Sequence, residues 1–339
     1  MRVHGEPIHL VIHPGLPKTG TTFLQQRVFG PHRQICNIGK PFGAATKRHD
    51  LDKCCRLISQ ADAALWERKK DWVRRQFQRA LKDRAVFDPR VHRVVLLSHE
   101  GLVNPQYETP PDEVLGRIRE IFGDGFRLLV TLRKQAKWLE SFYLYRFVAP
   151  AKYPEAGLGF EHWAERQAER CWSGISALRY QEWLAPWLAV TGQANALVLP
   201  FEVALEEPEV LYRETLARFL DVDGDELLRL SRQDAGVVNE RRQGYQVSVA
   251  KVEAMMHLAG SSWLDRWLYR RLAKRLVSRL DARGASERSR LFFTYDEALS
   301  DEERLRIASS NARLQADCPW DLSRLGYPVA GDHRGDDDE

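Results

Sequence analysis

The chain is short of the features that mark a special environment. Its five cysteines (Cys36, Cys54, Cys55, Cys171 and Cys318) are odd in number and show no C-x-x-C spacing. That argues against a disulfide framework and a cysteine zinc site, and leaves reduced, partly buried thiols as the reading. No stretch approaches the roughly 18 consecutive apolar residues a spanning helix needs. Met1-Arg2-Val3-His4-Gly5-Glu6-Pro7 is polar and leads straight into an apolar run, so no signal peptide is expected and a cytoplasmic location is. No internal repeat is present. An excess of one charge is missing too: the formal net charge is +4 over 339 residues, with 44% hydrophobic and 29% charged. Those proportions are those of a globular chain with a sizeable core, and they argue against a disordered chain or a membrane bundle.

What is present alternates. Apolar runs of strand length occur at Ile8–His13, Arg93–Ser98, Phe126–Leu132 and Ala196–Leu199, with a further short strand expected at Gln34–Gly39. Helical periods lie between them, at Thr21–Phe29, Ala61–Lys82, Asp112–Ile121, Lys134–Phe147, Phe160–Glu169, Ser176–Val190 and Glu209–Leu220. Strands alternating with helices predict an α/β fold, a P-loop-like three-layer α/β/α arrangement with a parallel sheet and ligands outside the carboxyl strand edge. After about Asp221 no strand is expected. Helical patterns follow at Glu226–Ser231, Tyr245–Leu258, Trp263–Leu280 and Asp301–Asp317. The reading is therefore a core over 1–222, a helical C-terminal part packed on it over 223–330, and an acidic disordered tail over 331–339.

The first apolar run leads into Pro14-Gly15-Leu16-Pro17-Lys18-Thr19-Gly20-Thr21-Thr22, and Phe23-Leu24-Gln25-Gln26 opens a helix. A loop of this kind turns backbone N–H groups and the positive helix end toward one point, which makes an anion site. Against the Walker A pattern, Gly15 and Gly20 hold the glycine places and Thr22 the final Ser/Thr place. Thr21 fills the lysine slot, and Lys18 has moved inside the loop. Pro17–Thr22 resembles the 5′-phosphosulfate loop of sulfotransferases, which move a sulfuryl group from 3′-phosphoadenosine-5′-phosphosulfate (PAPS). The resemblance spans about Ile8 to Leu220. It implies that Lys18 stabilises charge on the leaving oxygen, while Thr19, Gly20, Thr21 and Thr22 hold the phosphate with amides and hydroxyls.

Two further stretches extend the resemblance. Phe126–Leu132 ends at Arg133, and the next helix carries Ser141 and a stripe of Trp138, Phe142 and Tyr145. In sulfotransferases an Arg and a Ser at this spacing grip the 3′-phosphate, which separates PAPS from ATP; a guanidinium suits that work. Val94–Ser98 ends in His99-Glu100-Gly101. The family uses a His or a Glu to take the proton from the acceptor hydroxyl, so Glu100 and His99 are both candidates, with Glu100 favoured. Leu197–Glu202 resembles a later scaffold strand; Asn239–Gly244 lies where relatives close a basic segment over the 3′-phosphate, but its spacing is inexact and a solvated turn is the plainer reading.

The reaction so implied is transfer of a sulfuryl group from PAPS to an acceptor hydroxyl of a saccharide or glycolipid, with no metal and no nucleic acid expected. Two other readings stay open. One is a P-loop kinase or NTPase, which expects a lysine after Gly20 and a strand-end Asp for Mg²⁺. The other is a non-catalytic basic protein on membranes or nucleic acid. Leu65–Arg84 and Trp263–Leu280 are basic and amphipathic; the second could touch an anionic inner membrane face or an acidic glycan, while a core-packed helix with a solvated basic face is the plainer reading.

Overall fold

Apolar runs too short for helices become parallel strands. The computed structural model describes residues 2–3, 6–7, 9–147, 160–169, 172–233 and 298–331. A small antiparallel pair, β1 (Arg2–Val3) and β2 (Glu6–Pro7), precedes the main sheet. The sheet contains β3 (His9–His13), β4 (Ile35–Asn37), β5 (Val94–Ser98), β6 (Phe126–Leu132) and β7 (Ala196–Pro200). All pairings are parallel, in the order β4-β5-β3-β6-β7. All five residues of β5 are buried, as are those of β3 and β6 apart from His9 and Arg127. Side chains alternate between faces along a strand, so burial of consecutive residues means that helices cover both faces. This is the three-layer α/β/α arrangement.

The helices are α1 (Thr21–Phe23), which runs on as a π-helical turn over Leu24–Phe29, then α2 (Ala44–Lys47), α3 (Leu51–Gln60), α4 (Ala63–Lys82) and α5 (Pro111–Phe122). They continue with α6 (Gln135–Phe147), α7 (Phe160–Glu169), α8 (Tyr180–Thr191), α9 (Val203–Glu206), α10 (Ala217–Leu220) behind a second π-helical turn over Val210–Leu216, α11 (Gly224–Arg232) and α12 (Asp301–Leu314). Among the described residues after Asp221 there is no strand. The helical expectations at Tyr245–Leu258 and Trp263–Leu280, the basic segment Asn239–Gly244 and most of the acidic tail lie outside the described residues. No described helix is long and apolar enough to cross a membrane.

The chain forms two compact units. One takes Met1–Lys134, Glu169–Gly236 and Leu305–Glu339; the other takes Gln135–Ala168 and Val237–Arg304. The first holds the sheet, together with α11. In the second, α6 and α7 build an aromatic cluster: the Trp138 and Phe142 rings lie tilted 4.9 Å apart, and Trp163 meets Phe142 (5.7 Å) and Tyr143 (5.4 Å). Arg146 lies over the Phe142 ring at 4.6 Å. The expected stripe of Trp138, Phe142 and Tyr145 is corrected here. Tyr145 is 43% exposed, while Leu139, Tyr143 and Arg146 are buried, because the hidden face follows the four-residue ridge from Trp138 through Phe142 to Arg146.

In the first unit, α3 ends against α5 through a buried cation. Arg117 donates to the carbonyls of Ile58 (2.8 Å), Ala61 (2.6 Å) and Leu57 (3.3 Å), and to the Glu113 carboxylate (2.5 Å). Its guanidinium also lies over Trp66 at 5.2 Å. The last carbonyls of a helix lack partners within it and carry partial negative charge, so a guanidinium there is well matched. Replacing Arg117 with Met keeps the bulk and removes the donors, leaving buried carbonyls unpaired. The expected loss is about 2–4 kcal/mol of unfolding free energy by urea titration. A loss below about 0.5 kcal/mol, the size of an ordinary surface change, contradicts this role.

Candidate functional site

A parallel sheet brings every carboxyl strand end to one edge. Here the chain builds β4 and β5 on one side of β3 and β6 and β7 on the other, so the switch in strand order falls at β3. The Gly- and Thr-rich loop leaves from that point. Lys18 (φ 71°) and Gly20 (φ 85°) are both left-handed and bracket Thr19, which is not. Alternation of hand along a loop turns successive amides inward, the geometry of an anion-binding nest. Gly20 is required twice over: its φ suits glycine, and a Cβ there would stand 2.3 Å from the Phe201 ring. A Cβ on Gly15 would lie 2.8 Å from the Thr21 methyl and 2.9 Å from Thr131 Oγ1. Gly20 caps α1 without a side-chain bond, and the Leu24 N–H reaches the Gly20 carbonyl at 3.2 Å, so the amides before Leu24 are not used by the helix. Thr21 is buried and Thr22 half-buried. Thr19 is fully buried and its hydroxyl is spent inside the protein, on the Leu16 carbonyl at 2.7 Å.

Arg133 follows the last residue of β6, the neighbour of β3. Its Nη1 donates to the Lys18 carbonyl at 3.1 Å, and its guanidinium lies 5.6 Å from the centre of the Phe201 ring. The backbone beneath it is anchored: Tyr180 donates its hydroxyl to the Arg133 carbonyl at 2.5 Å, and the Lys134 N–H donates to Glu202 at 3.1 Å. Glu202 in turn accepts from Tyr327 at 2.8 Å. The two cationic residues picked out in the sequence are thus joined, lysine backbone to arginine side chain. Ser141 lies half-buried on α6 and belongs to the second unit.

Across β3 from Arg133, β5 is followed by His99 and Glu100. The Glu100 carboxylate accepts from Lys40 (3.1 Å) and from the Gln25 amide (3.1 Å). Burial works to raise its pKa, but the Lys40 charge, His99 and these two hydrogen bonds outweigh it and hold the carboxyl below its usual range. His99 is differently placed. Its Nδ1 accepts the Gly101 N–H at 3.0 Å, so the neutral ring carries its proton on Nε2, which is buried without a partner. Burial, with the Lys40 charge beside it, lowers the His99 pKa to about 4. One ring nitrogen is occupied and the other already protonated, so of the two candidates Glu100 is the one able to accept a proton.

The sequence did not announce Lys40, Gln25 or Phe201 as parts of this edge. Lys40 arrives because β4 pairs with β5 and its chain runs on, with the Lys40 N–H on the Ser98 carbonyl at 2.8 Å. Gln25 arrives through the π-helical turn, whose wide bond takes the Gly30 N–H to the Gln25 carbonyl at 3.0 Å. A signal was available in the strands: Ser98, Thr131 and His13 are polar residues at or one short of the carboxyl ends of three adjacent apolar strands, and all three are buried.

No family model matches the chain, and no match is found among curated proteins. Solved structures similar to it include the sulfotransferase domain from the Synechococcus PCC 7002 olefin synthase, at 15% identity and a TM-score of 0.35, over 69% of this chain and 81% of that domain. At that identity and TM-score the likeness carries no function, which has to be argued from the residues at the edge.

Two histidines at the site make its stability sensitive to acid. His13, fully buried, has its pKa lowered to about 4 by burial, opposed by the Glu100 charge, and His99 is lowered to the same level. Between the ordinary value of 6.5 and about 4, the unfolded chain binds protons that the folded one does not. Stability is therefore complete above that window and falls with pH inside it, by about 1.4 kcal/mol per pH unit for each histidine. The lowered carboxyl of Glu100 adds to the loss at still lower pH. Urea titrations at pH 7 and pH 5 are expected to show the fall, with a shallower one in His99→Asn; equal unfolding free energies at the two pH values contradict it.

Proposed function

We propose that this protein is a PAPS-dependent sulfotransferase that moves a sulfuryl group to a hydroxyl of a saccharide or glycolipid. The observation that carries the reading is the joining of Lys18 and Arg133 at the carboxyl edge of neighbouring strands, with an ionised Glu100 just past the end of β5, on the other side of β3. A kinase reading lacks its lysine, since the position after Gly20 is the buried Thr21.

The donor set fits the donor substrate. Left-handed Lys18 and Gly20 shape a nest for a phosphate, and no Cβ is tolerated where the loop is tightest. Amides of Thr19, Gly20, Thr21 and Thr22 would hold the 5′-phosphate. Arg133 would hold the 3′-phosphate, the group that sets PAPS apart from ATP. Bound PAPS supplies the sulfuryl group and a bisphosphate leaving group. Lys18 neutralises the charge that gathers on the departing oxygen, a contribution made only as the bond breaks. Glu100 takes the acceptor's hydroxyl proton while the acceptor oxygen bonds to sulfur. Lys40 and Gln25 keep that carboxylate ionised and aimed. Phe201 packs against Gly20 and the Arg133 guanidinium, so loop and arginine are set in one geometry.

Incubating the protein with radiolabelled PAPS and extracts of its host, then isolating what becomes labelled, tests the reaction and finds the acceptor together. Lys18→Ala is expected to abolish most labelling with an unchanged melting temperature; labelling at the wild-type rate removes Lys18 from the chemistry. Glu100→Gln is expected to lower turnover by about 10²–10⁴-fold, the usual weight of a general base. His99→Asn retains an acceptor for the Gly101 N–H and is expected to label at close to the wild-type rate. The opposite result for that pair, with His99→Asn inactive and Glu100→Gln active, transfers the base role to His99.

A further inference from the structure

Beneath the loop, a line of buried polar groups crosses three strands. The Gln25 amide lies 3.1 Å from Ser98 Oγ, and Ser98 Oγ 2.7 Å from His13 Nδ1. His13 Nε2 is 3.2 Å from Thr131 Oγ1, which is 2.9 Å from Thr19 Oγ1. Thr19 ends the line on the Leu16 carbonyl at 2.7 Å. His13, Thr19 and Ser98 show no exposure, and Thr131 and Gln25 show 1% and 3%.

The direction of every bond follows from its last member. A carbonyl only accepts, so the Thr19 hydroxyl donates to Leu16 and must accept from Thr131. The single proton of Thr131 is then used, and it must accept from His13 Nε2. A neutral His13 protonated on Nε2 has a bare Nδ1, which accepts from Ser98. Ser98 has then no proton left and accepts from Gln25. The second N–H of Gln25 goes to the Glu100 carboxylate. Each bond points the same way, from the amide that holds Glu100 to the loop that carries Lys18. Such a head-to-tail chain polarises its members in one sense and strengthens them.

We propose that His13 is a positioning residue of the transfer reaction: held as the Nε2–H tautomer, it links the base Glu100 to the donor loop through a one-directional hydrogen-bond chain. This rests on the function proposed above. His13 touches no reacting atom. It sets Thr19, and with it the left-handed turn at Lys18, at the same time as it sets Ser98 and Gln25 under Glu100. Its low basicity in this buried position suits the role, since an imidazolium would put a donor against Ser98 and break the common direction at that bond. Gly15 serves the same assembly: a Cβ there would stand 3.3 Å from His13 Nε2, so the loop lies directly over the imidazole.

Two substitutions divide the chain at different bonds. His13→Asn places an acceptor near the Nδ1 position, keeping the Ser98 bond and cutting the one to Thr131. His13→Gln places a donor near the Nε2 position, keeping Thr131 and Thr19 and cutting the bond to Ser98. Calorimetry with adenosine 3′,5′-bisphosphate is expected to show affinity about tenfold weaker for His13→Asn and close to wild type for His13→Gln, the worth of one hydrogen bond on the loop side. Equal affinities in wild type and both variants, or equal losses in the two variants, overturn the proposal, because a packing role would not distinguish them. Nitrogen-15 spectra of the histidine-labelled wild type give a reading that does not depend on either variant folding: a proton on His13 Nε2 supports the chain, and one on Nδ1 overturns it. Wild type that binds no bisphosphate at all overturns the function proposed above, and the role of His13 with it. Wild type that binds it while His13→Asn binds equally well overturns the chain alone.

Discussion

Buried polar groups must find hydrogen bonds inside the protein, and at the carboxyl ends of β3, β5 and β6 three of them stand side by side where apolar side chains would otherwise pack. His13, Ser98 and Thr131 can satisfy one another only if the strands keep their register and if Thr19 and Gln25 come down to close the two ends. Thr19 belongs to the loop and Gln25 to the helix after it. The demand for partners therefore shapes the loop from below, while the glycine positions shape it from above. A loop held in this way needs no ligand to take its left-handed turns at Lys18 and Gly20. Preorganised donors of this kind act on developing charge without first having to rearrange.

Charge is distributed across the same edge with a sign for each task. Lys18 and Arg133 stand on the β3 and β6 side, where an anionic donor would lie. The Glu100 carboxylate stands on the β5 side, kept ionised by Lys40. The separation matters: a carboxylate in the nest would repel phosphate, and a cation alone at the strand end could not take a proton. Lys40 neutralises Glu100 without removing its lone pairs, since a carboxylate accepts several bonds. His99, one residue away and more deeply buried, illustrates how little sequence proximity decides. Its ring is turned onto the Gly101 backbone, which fixes the tautomer and leaves the proton of the neutral ring on Nε2.

Much of the scaffold was legible in the sequence because parallel strands buried on both faces leave a plain signature. Phe126–Leu132 runs over the same residues in the sequence reading and in the structure, and Val94–Ser98 differs by one residue. The loop was legible for a local reason, its glycines and threonines standing between a strand and a helix, and Arg133 and Glu100 for a topological one, as charged residues just past strand ends. What was hidden depends on contacts between distant segments or on geometry with no compositional mark. The π-helical turns over Leu24–Phe29 and Val210–Leu216 follow an ordinary helical pattern of residue types. Helix α3 buries Leu51, Cys54, Cys55 and Ile58, a face too short and too interrupted by charge to stand out. Lys40 reaches Glu100 only because β4 pairs with β5, a choice made by the whole sheet. Tyr145 is spaced correctly for the buried stripe of α6 yet is 43% exposed, since the buried ridge runs past it.

The central claim is that this edge recognises a nucleotide carrying phosphates at both its 3′ and 5′ positions. A calorimetric comparison of adenosine 3′,5′-bisphosphate with ADP, on the same full-length protein, tests it most directly, because the two ligands differ chiefly in where the second phosphate sits. The claim requires the bisphosphate to bind at least about tenfold more tightly, the worth of one charge-assisted contact at Arg133. Equal affinity, or a preference for ADP that strengthens with Mg²⁺, would contradict it.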